Sequence, residues 1–469
     1  MKKSILFIIA TIILFCTVLI HGASSPYRVF EEASEETVSS FKLSSFYSDS
    51  PSGESASVIV TNEDALAVRM QLVNSAKERI VLSTFELKSD EGSRPFLAAL
   101  MMAARRGVKV YIVSDGAYPF YPDDVACMAA LALEENLSIK VYNPRNVLMP
   151  EKWMPSLHDK YLLVDSRTYL AGGRNTTGQF LGKSGGRDKY IDWEVLVEAA
   201  PGVPSPTIGQ LETYFEAVWA DDDSKDRFNG LLLRPFAKAD AARLERLWEE
   251  GKETHPEWYE PVSQERFCPV NHITLLANPL NTTRKEPVLF TQLSMLMEQA
   301  EGDLVFHTPY IVLNDYMTER LEAIAQSGKS VTAMVNTPPN SDNQLCTADY
   351  IMNKGSILAT GLRIIEFGEG TPYHGKCFTL GDRLSGIGSF NWDIRSAYID
   401  TELMVIIDSP ELNRELRSAM ACYEEKSIEV LPDGSYLLKE GQEEPKLEGK
   451  RKLLLKPYML FDSAFHYVL

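Results

Sequence analysis

Cysteine is scarce in this chain, with six in 469 residues. Cys127, Cys268, Cys346, Cys377 and Cys422 follow the N-terminal segment, and none falls in CxxC spacing. That argues against zinc-ribbon and dithiol redox patterns. An odd number leaves at least one thiol unpaired in a monomer, and each reads as a small buried hydrophobe. Positive charge is also short: 47 Lys and Arg face 65 Asp and Glu, a formal net charge of −18. Nucleic-acid binders gain affinity by releasing counterions from phosphates, so they carry a basic footprint. The acidic balance argues against DNA or RNA as the main partner. Beyond the N-terminus no apolar run is long enough to span a bilayer. No carboxylate or histidine cluster resembles a metal cage, and no cofactor is expected.

What is present supports a folded, two-part chain. Hydrophobic residues make up 45% and aromatics 10%, enough to bury ordinary cores. The length fits two units of similar size. At the start, Lys2 and Lys3 precede an apolar run from Ser4 to Ile20, and small residues follow at Gly22-Ala23-Ser24-Ser25. This pattern reads as a cleaved signal peptide or a retained membrane anchor. Either places the rest of the chain on the extracytoplasmic side.

Residues 24–57 are Ser- and Glu-rich and read as a tether. Then strand and helix signals alternate. Arg79–Phe85 is a short apolar strand, Phe96–Arg106 a helix ended by Gly107, and Val108–Val113 the next strand. The unit recurs as Asp303–Thr308, Met317–Gln326, Gly328 and Ser330–Val335. A duplicated β-α-β fold, its apolar strands covered on both faces, is the simple reading. The boundaries expected are a leader at 1–23, the tether, a first lobe at 58–225, a linker with a charged helix at 226–268, a second lobe at 269–427 and an extension at 428–469. The end of that extension, from Leu453, is apolar enough to dock on the body or to touch a membrane surface.

The chemistry-bearing signal is also duplicated. His158-Asp159-Lys160 is followed by Gly172-Gly173-Arg174-Asn175, and His374-Gly375-Lys376 by Gly388-Ser389-Phe390-Asn391. The His-to-Asn spacing is 17 in each copy (175 − 158 and 391 − 374). Leu157–Val164 reads as a strand, which points His158 and Lys160 to the same face. Each copy presents an imidazole, an ammonium and a carboxamide. Two facing copies surround one anion with donors, which suits a phosphodiester. One imidazole attacks phosphorus and the other protonates the leaving oxygen. A histidine in such a role needs its tautomer fixed by a partner, often a carboxylate. Glu402 is the candidate for His374 and Asp192 for His158. Asp165 reads as a turn or structural residue. His255, His272, His307 and His466 read as structural.

At these residues the chain resembles the phospholipase D superfamily, whose mark is a duplicated HxK(x)4D(x)6GSxN motif. It is most similar to the bacterial cardiolipin synthases, through Thr308-Pro309-Tyr310, Gly388–Ser396 and Asp400-Thr401-Glu402. The resemblance spans about residues 58–425. It implies an α/β fold of two pseudo-twofold related α/β/α sandwich lobes, mixed sheets flanked by helices, and a phosphohistidine intermediate. It implies His158 as nucleophile and His374 as general acid, the reverse assignment being chemically equivalent. It also implies a phospholipid substrate at a membrane surface, with a small alcohol or water as acceptor. The chain departs from the pattern in two places: Gly173 stands where Ser389 stands in the second copy, and Gly381 stands where the motif has Asp. An exported nuclease of the same superfamily and an inactive lipid-binding module are the competing readings. The acidic balance opposes the first, and two intact residue sets oppose the second.

Overall fold

The computed structural model of the chain describes residues 11, 18–117, 120–228, 234–460 and 466–469. Most of the expected leader lies outside these residues. Among them, no helix is long and apolar enough to cross a membrane.

Two nine-stranded mixed sheets organise the molecule. The first contains β1 (Glu54–Ile59), β2 (Arg79–Thr84), β3 (Lys109–Asp115), β4 (Leu137–Tyr142), β5 (Tyr161–Val164), β6 (Thr168–Gly172), β7 (Glu194–Ala199), β8 (Ser224–Asp226) and β9 (Cys268–Pro269). The second contains β10 (His272–Ala277), β11 (Leu304–His307), β12 (Val331–Asn336), β13 (Arg363–Phe367), β14 (Cys377–Leu380), β15 (Leu384–Gly388), β16 (Leu403–Asp408), β17 (Ile428–Val430) and β18 (Tyr436–Leu437). Their orders are β8-β4-β3-β2-β5-β6-β7-β1-β9 and β18-β17-β13-β12-β11-β14-β15-β16-β10. Each has three central strands in parallel, β2-β3-β4 and β11-β12-β13. Eight strands match position by position, while β9 and β18 are additions. The duplicated β-α-β signal is therefore a duplicated lobe. Gly107 and Gly328 close their helices at φ +98° and +85°, the left-handed conformation that glycine takes without a Cβ clash.

Two helices lie between the sheets, Pro206–Ala220 and Pro410–Glu424. Both begin with the same Ser-Pro device: Ser205 and Ser409 accept from the N–H of Ile208 and Leu412, and Pro occupies the first helical position. Each reaches across, the first to β10 and the second to β1. Val195 and Val197 of β7 join Val405 and Ile407 of β16, with Leu211, Phe215, Leu412 and Leu416, in one buried cluster. The lobes thus share a core.

Three segments differ from expectation. The tether is folded: Tyr27 and Phe46 enter the second-lobe core, Ser34 caps a helix at Glu35–Ser40, and β1 opens at Glu54. The linker's charged helix, Arg234–Thr254, packs on Arg94–Arg105 and Pro122–Leu131 through Ala237, Ala241 and Leu244. The extension begins with β17 and β18 of the second sheet. The tether is held by a few widely spaced apolar anchors, too sparse to produce a periodic signal, whereas the linker helix, expected from the sequence, docks through Ala237, Ala241 and Leu244 at helical spacing.

The lobes approach most tightly at Gly375. A Cβ there would stand 2.2 Å from Trp193 Cδ1, an atom of the other lobe. Trp193 Nε1 donates to Tyr373 OH beside it. Gly375→Ala should therefore destabilise the protein by about 1–3 kcal/mol through overpacking. Denaturant unfolding of the variant against the parent chain measures this; an unchanged midpoint would show that the lobe contact yields freely.

Candidate active site

β5 starts at Tyr161, not at Leu157. The strand expected over His158 and Lys160 is replaced by an extended lead-in held from outside. Three successive N–H groups are capped by side chains: Ser156 by Asp400 (2.9 Å), Leu157 by Asp115 (2.7 Å) and His158 by Thr401 Oγ1 (3.1 Å). Leu157 also bridges Thr401, and Ile191 bridges Tyr373, so backbone from one lobe pairs with backbone from the other at two points. His374 N donates to Ile191 O at 2.8 Å in the second of these. The sequence could not show this, because the caps come from residues 42 to 244 positions away.

The imidazoles are oriented across the lobe boundary. His158 Nδ1 donates to Glu402 Oε1 at 2.8 Å, and His374 Nδ1 to Asp192 Oδ2 at 2.7 Å. The sequence reading had these pairs the other way round, with each acid serving its own copy. The structure crosses them, because Asp192 and Glu402 sit just before β7 and β16, where the two bridges bring the lobes together. Ser389 Oγ and Ser396 Oγ (2.6 Å) also donate to Glu402, so three donors converge on it. Asp192 accepts from the Trp193 N–H at 2.8 Å as well. A Cβ on Gly173 would stand 2.2 Å from Asp192 Oδ1. The glycine thus leaves room for a short acid, while Ser389 at the matching position bonds a longer one. That accounts for the first departure from the motif.

Lys160 Nζ donates to His158 O and Lys376 Nζ to His374 O, the same contact in both halves. Lys376 Nζ also lies 3.9 Å from Asp192. Asn175 Oδ1 accepts from Glu86 N at 3.3 Å, whereas Asn391 Oδ1 is buried with no partner among the described residues. Both His-Lys pairs thus stand at the lobe boundary, each histidine bonded to an acid of the other lobe.

Burial and charge tune the groups. Burial, reinforced by Lys160, holds His158 well below its ordinary value; burial, reinforced by Lys376, also lowers His374. Both rings are therefore neutral at neutral pH. Burial brings the Lys160 ammonium down to about 8 and lowers Lys376. Glu402 is pushed by burial up to about 8, against the pull of Lys160. For Asp192 burial acts upward, but Lys376 and His374 outweigh it and hold the carboxyl below its usual range. The two acids thus differ: its surroundings favour the charge on Asp192, whereas burial opposes the charge on Glu402.

Asp165 is structural. At φ +52° it turns β5 into β6, and its carboxylate accepts from the N–H groups of Lys77, Glu78 and Arg79. Gly381 occupies the matching turn at φ +57°. A left-handed turn is the shared requirement, and glycine meets it as well as aspartate does. Sequence reasoning missed the aromatic walls: the Phe85 ring lies 5.0 Å from that of His158, and Phe180 and Tyr190 lie 5.1 and 5.5 Å from that of His374. It also missed Asp159, which accepts from Ser83, Tyr214 and, across the boundary, Thr401. His307 stays structural, bonded to Tyr373 OH (2.6 Å) and Glu424 (3.0 Å).

The family described as "Cardiolipin synthase, PLD-like domain" matches residues 70–219 and 293–422. Cardiolipin synthase C of Escherichia coli is 21% identical over 391 residues, covering 74% of this chain and 80% of that protein. An uncharacterized protein of Helicobacter pylori is 23% identical over 417 residues, covering 81% of each chain. The crystal structure of phosphatidylserine synthase from Haemophilus influenzae superposes with a TM-score of 0.62 at 16% identity, covering 88% of this chain and 95% of that one. That likeness establishes the fold.

The crossed pairs have a direct spectroscopic consequence. Glu402→Gln should shift the 15N resonances of His158, and Asp192→Asn those of His374, in the full chain. If either substitution moved only the histidine of its own lobe, the crossed pairing would be wrong.

Proposed function

The chain belongs to the PLD-like cardiolipin synthase family, and from that premise we propose that it transfers a phosphatidyl group between alcohols, or to water, through a phosphohistidine. The observation that carries this reading is the interlobe site itself. Each imidazole is bonded to a carboxyl group of the other lobe, His158 to Glu402 and His374 to Asp192, which supports a single site shared by the two copies of the motif.

In the first half-reaction His158 Nε2 attacks phosphorus as the bond from phosphorus to the leaving oxygen breaks. His374, which takes up a proton at Nε2 from solvent when the anionic substrate binds, gives that proton to the oxygen and returns to the neutral ring. Lys160, Lys376, Asn175 and Asn391 stabilise the charge gathering on the non-bridging oxygens. In the second half-reaction an acceptor hydroxyl passes its proton to His374 and attacks phosphorus, and the P–N bond breaks. His158 is the nucleophile in this scheme because it is the ring held furthest below its ordinary value, while His374 faces the acid whose charge its surroundings favour. An ionised Asp192 supports the imidazolium that His374 must become; the substrate's own negative charge adds to that support. The N-terminal Lys2-Lys3 and the apolar run after them support an extracytoplasmic, membrane-side setting for this chemistry.

Purified protein with phosphatidylglycerol tests the reading. Cardiolipin plus glycerol signifies transfer and phosphatidic acid hydrolysis, while plasmid nicking without lipid turnover would overturn it. His158→Asn and His374→Asn should each reduce turnover by at least about 10³-fold without unfolding the protein. A 32P-labelled intermediate should survive on His158 in the His374→Asn variant.

The pH profile follows from Lys160. Its charged form is the useful one and its value is lowered to about 8, so kcat/KM should fall as pH rises through about 8. Lys160→Arg keeps its charge above that range and should move the alkaline limb upward, even at a reduced rate. An unmoved limb would assign it to another group.

A further inference from the structure

The helix Gly449–Leu460 has an unusual distribution of side chains. Leu455 is buried, and Arg451 Nη1 donates to Pro339 O at 2.5 Å; these attach it to the second lobe. Its outward side carries Leu453, Leu454 and Leu460 at 67%, 60% and 76% exposure. At about 100° per residue, Leu453, Leu460 and Leu454 fall on one broad outward stripe, with Lys450 within it, Lys456 at its edge and Lys452 further round, beside the buried face. A helix packed on a protein in water turns its leucines inward. The docking that the apolar end of the chain suggests is therefore only partly realised: Leu455, Val468 and Leu469 are buried, and the other leucines are not.

Charge identifies what would cover them. The helix has four basic residues and no acidic one, in a chain whose net charge is −18. A surface that is apolar beneath and anionic above fits both features, and that is a bilayer containing anionic lipid.

Position supports the same occupant. Arg451 and Leu454 line a pocket of about 300 Å³ together with Arg187, Asp342 and Pro372. Asp342 accepts from Tyr190 OH, whose ring packs on His374, and Pro372 O accepts from Ile191 N. The helix therefore stands beside the His374 side of the site. His466 follows Leu460 by six positions, so the two are at most about 20 Å apart. Next to His466, the Tyr467 ring lies beneath the Arg28 guanidinium, which contacts His21 at the end of the N-terminal apolar run. Gly22 stands against Pro150, in a loop where Val147 and Leu148 are 59% and 89% exposed. His21, Gly22, the loop before Pro150 and Tyr467 thus lie around one region of the surface.

We propose that Gly449–Leu460 is an interfacial helix that seats the site on an anionic bilayer. Leu453, Leu454 and Leu460 enter the boundary between headgroups and acyl chains, and Lys450, Lys452 and Lys456 lie against lipid phosphates. Its purpose rests on the lipid-transfer reading, but its main test does not. With the full chain, hydrogen exchange over residues 449–460 should slow on vesicles of phosphatidylglycerol and stay unchanged on vesicles of phosphatidylcholine. No slowing, equal slowing on both, or slowing that depends on protein concentration without lipid would overturn the proposal. The variant Leu453→Ser/Leu454→Ser/Leu460→Ser, and separately Lys450→Glu/Lys452→Glu/Lys456→Glu, should lose about tenfold or more in turnover of vesicle phosphatidylglycerol. Both should turn over a water-soluble short-chain phosphatidylglycerol like the parent. Parent-like rates on vesicles would refute the seating. A parent chain inactive on either lipid form would instead count against the transfer reading, leaving the exchange result to decide the docking.

Discussion

Each imidazole is held by a carboxylate that the other lobe supplies. A single lobe would lack the partner that fixes the tautomer of its own histidine, and its ring could rotate or protonate at the wrong nitrogen. The exchange of Glu402 and Asp192 makes the orientation of both rings conditional on the closed pair of lobes. The shared buried cluster, the two backbone bridges and the Trp193–Gly375 contact all maintain that closure. The tightest packing between lobes occurs within a residue of His374. Hydrophobic burial thus supplies the force, and the hydrogen bonds set the geometry.

The site is nearly symmetric in its geometry and unequal in its chemistry. Both lysines reach back to the carbonyl of their own histidine, and both histidines meet an aromatic edge. The acids differ in length, and the Gly173/Ser389 exchange matches each to its pocket. The middle position of each HxK differs too: Asp159 bonds across the boundary to Thr401, while Gly375 vacates space for Trp193. A symmetric pair of rings would have no reason to divide into nucleophile and acid. Under the proposed mechanism these local differences supply one, because the surroundings of Asp192 favour its charge and burial opposes that of Glu402.

The acidic surface and the basic helix divide the molecule's electrostatics between two tasks. Net negative charge keeps the body soluble and repels it from anionic surfaces, so any approach to such a surface must be led by a local exception. Gly449–Leu460 is such an exception, and it lies beside the residues that flank His374.

The sequence alone determined the duplication, its period and the two His-Lys pairs, because spacing and residue type are properties of the chain. Helix-ending glycines and apolar strands were legible for the same reason. Only the tertiary structure decided which acid serves which histidine, since Asp192 and Glu402 occupy equivalent places in their copies and no local rule distinguishes them. It also decided that Leu157–Lys160 is not strand, because its N–H groups are satisfied by side chains remote in sequence. The apparent tether became packed structure through isolated anchors such as Tyr27 and Phe46. A lone apolar residue in a polar stretch carries no period, so its partner is fixed by what the folded chain brings near it.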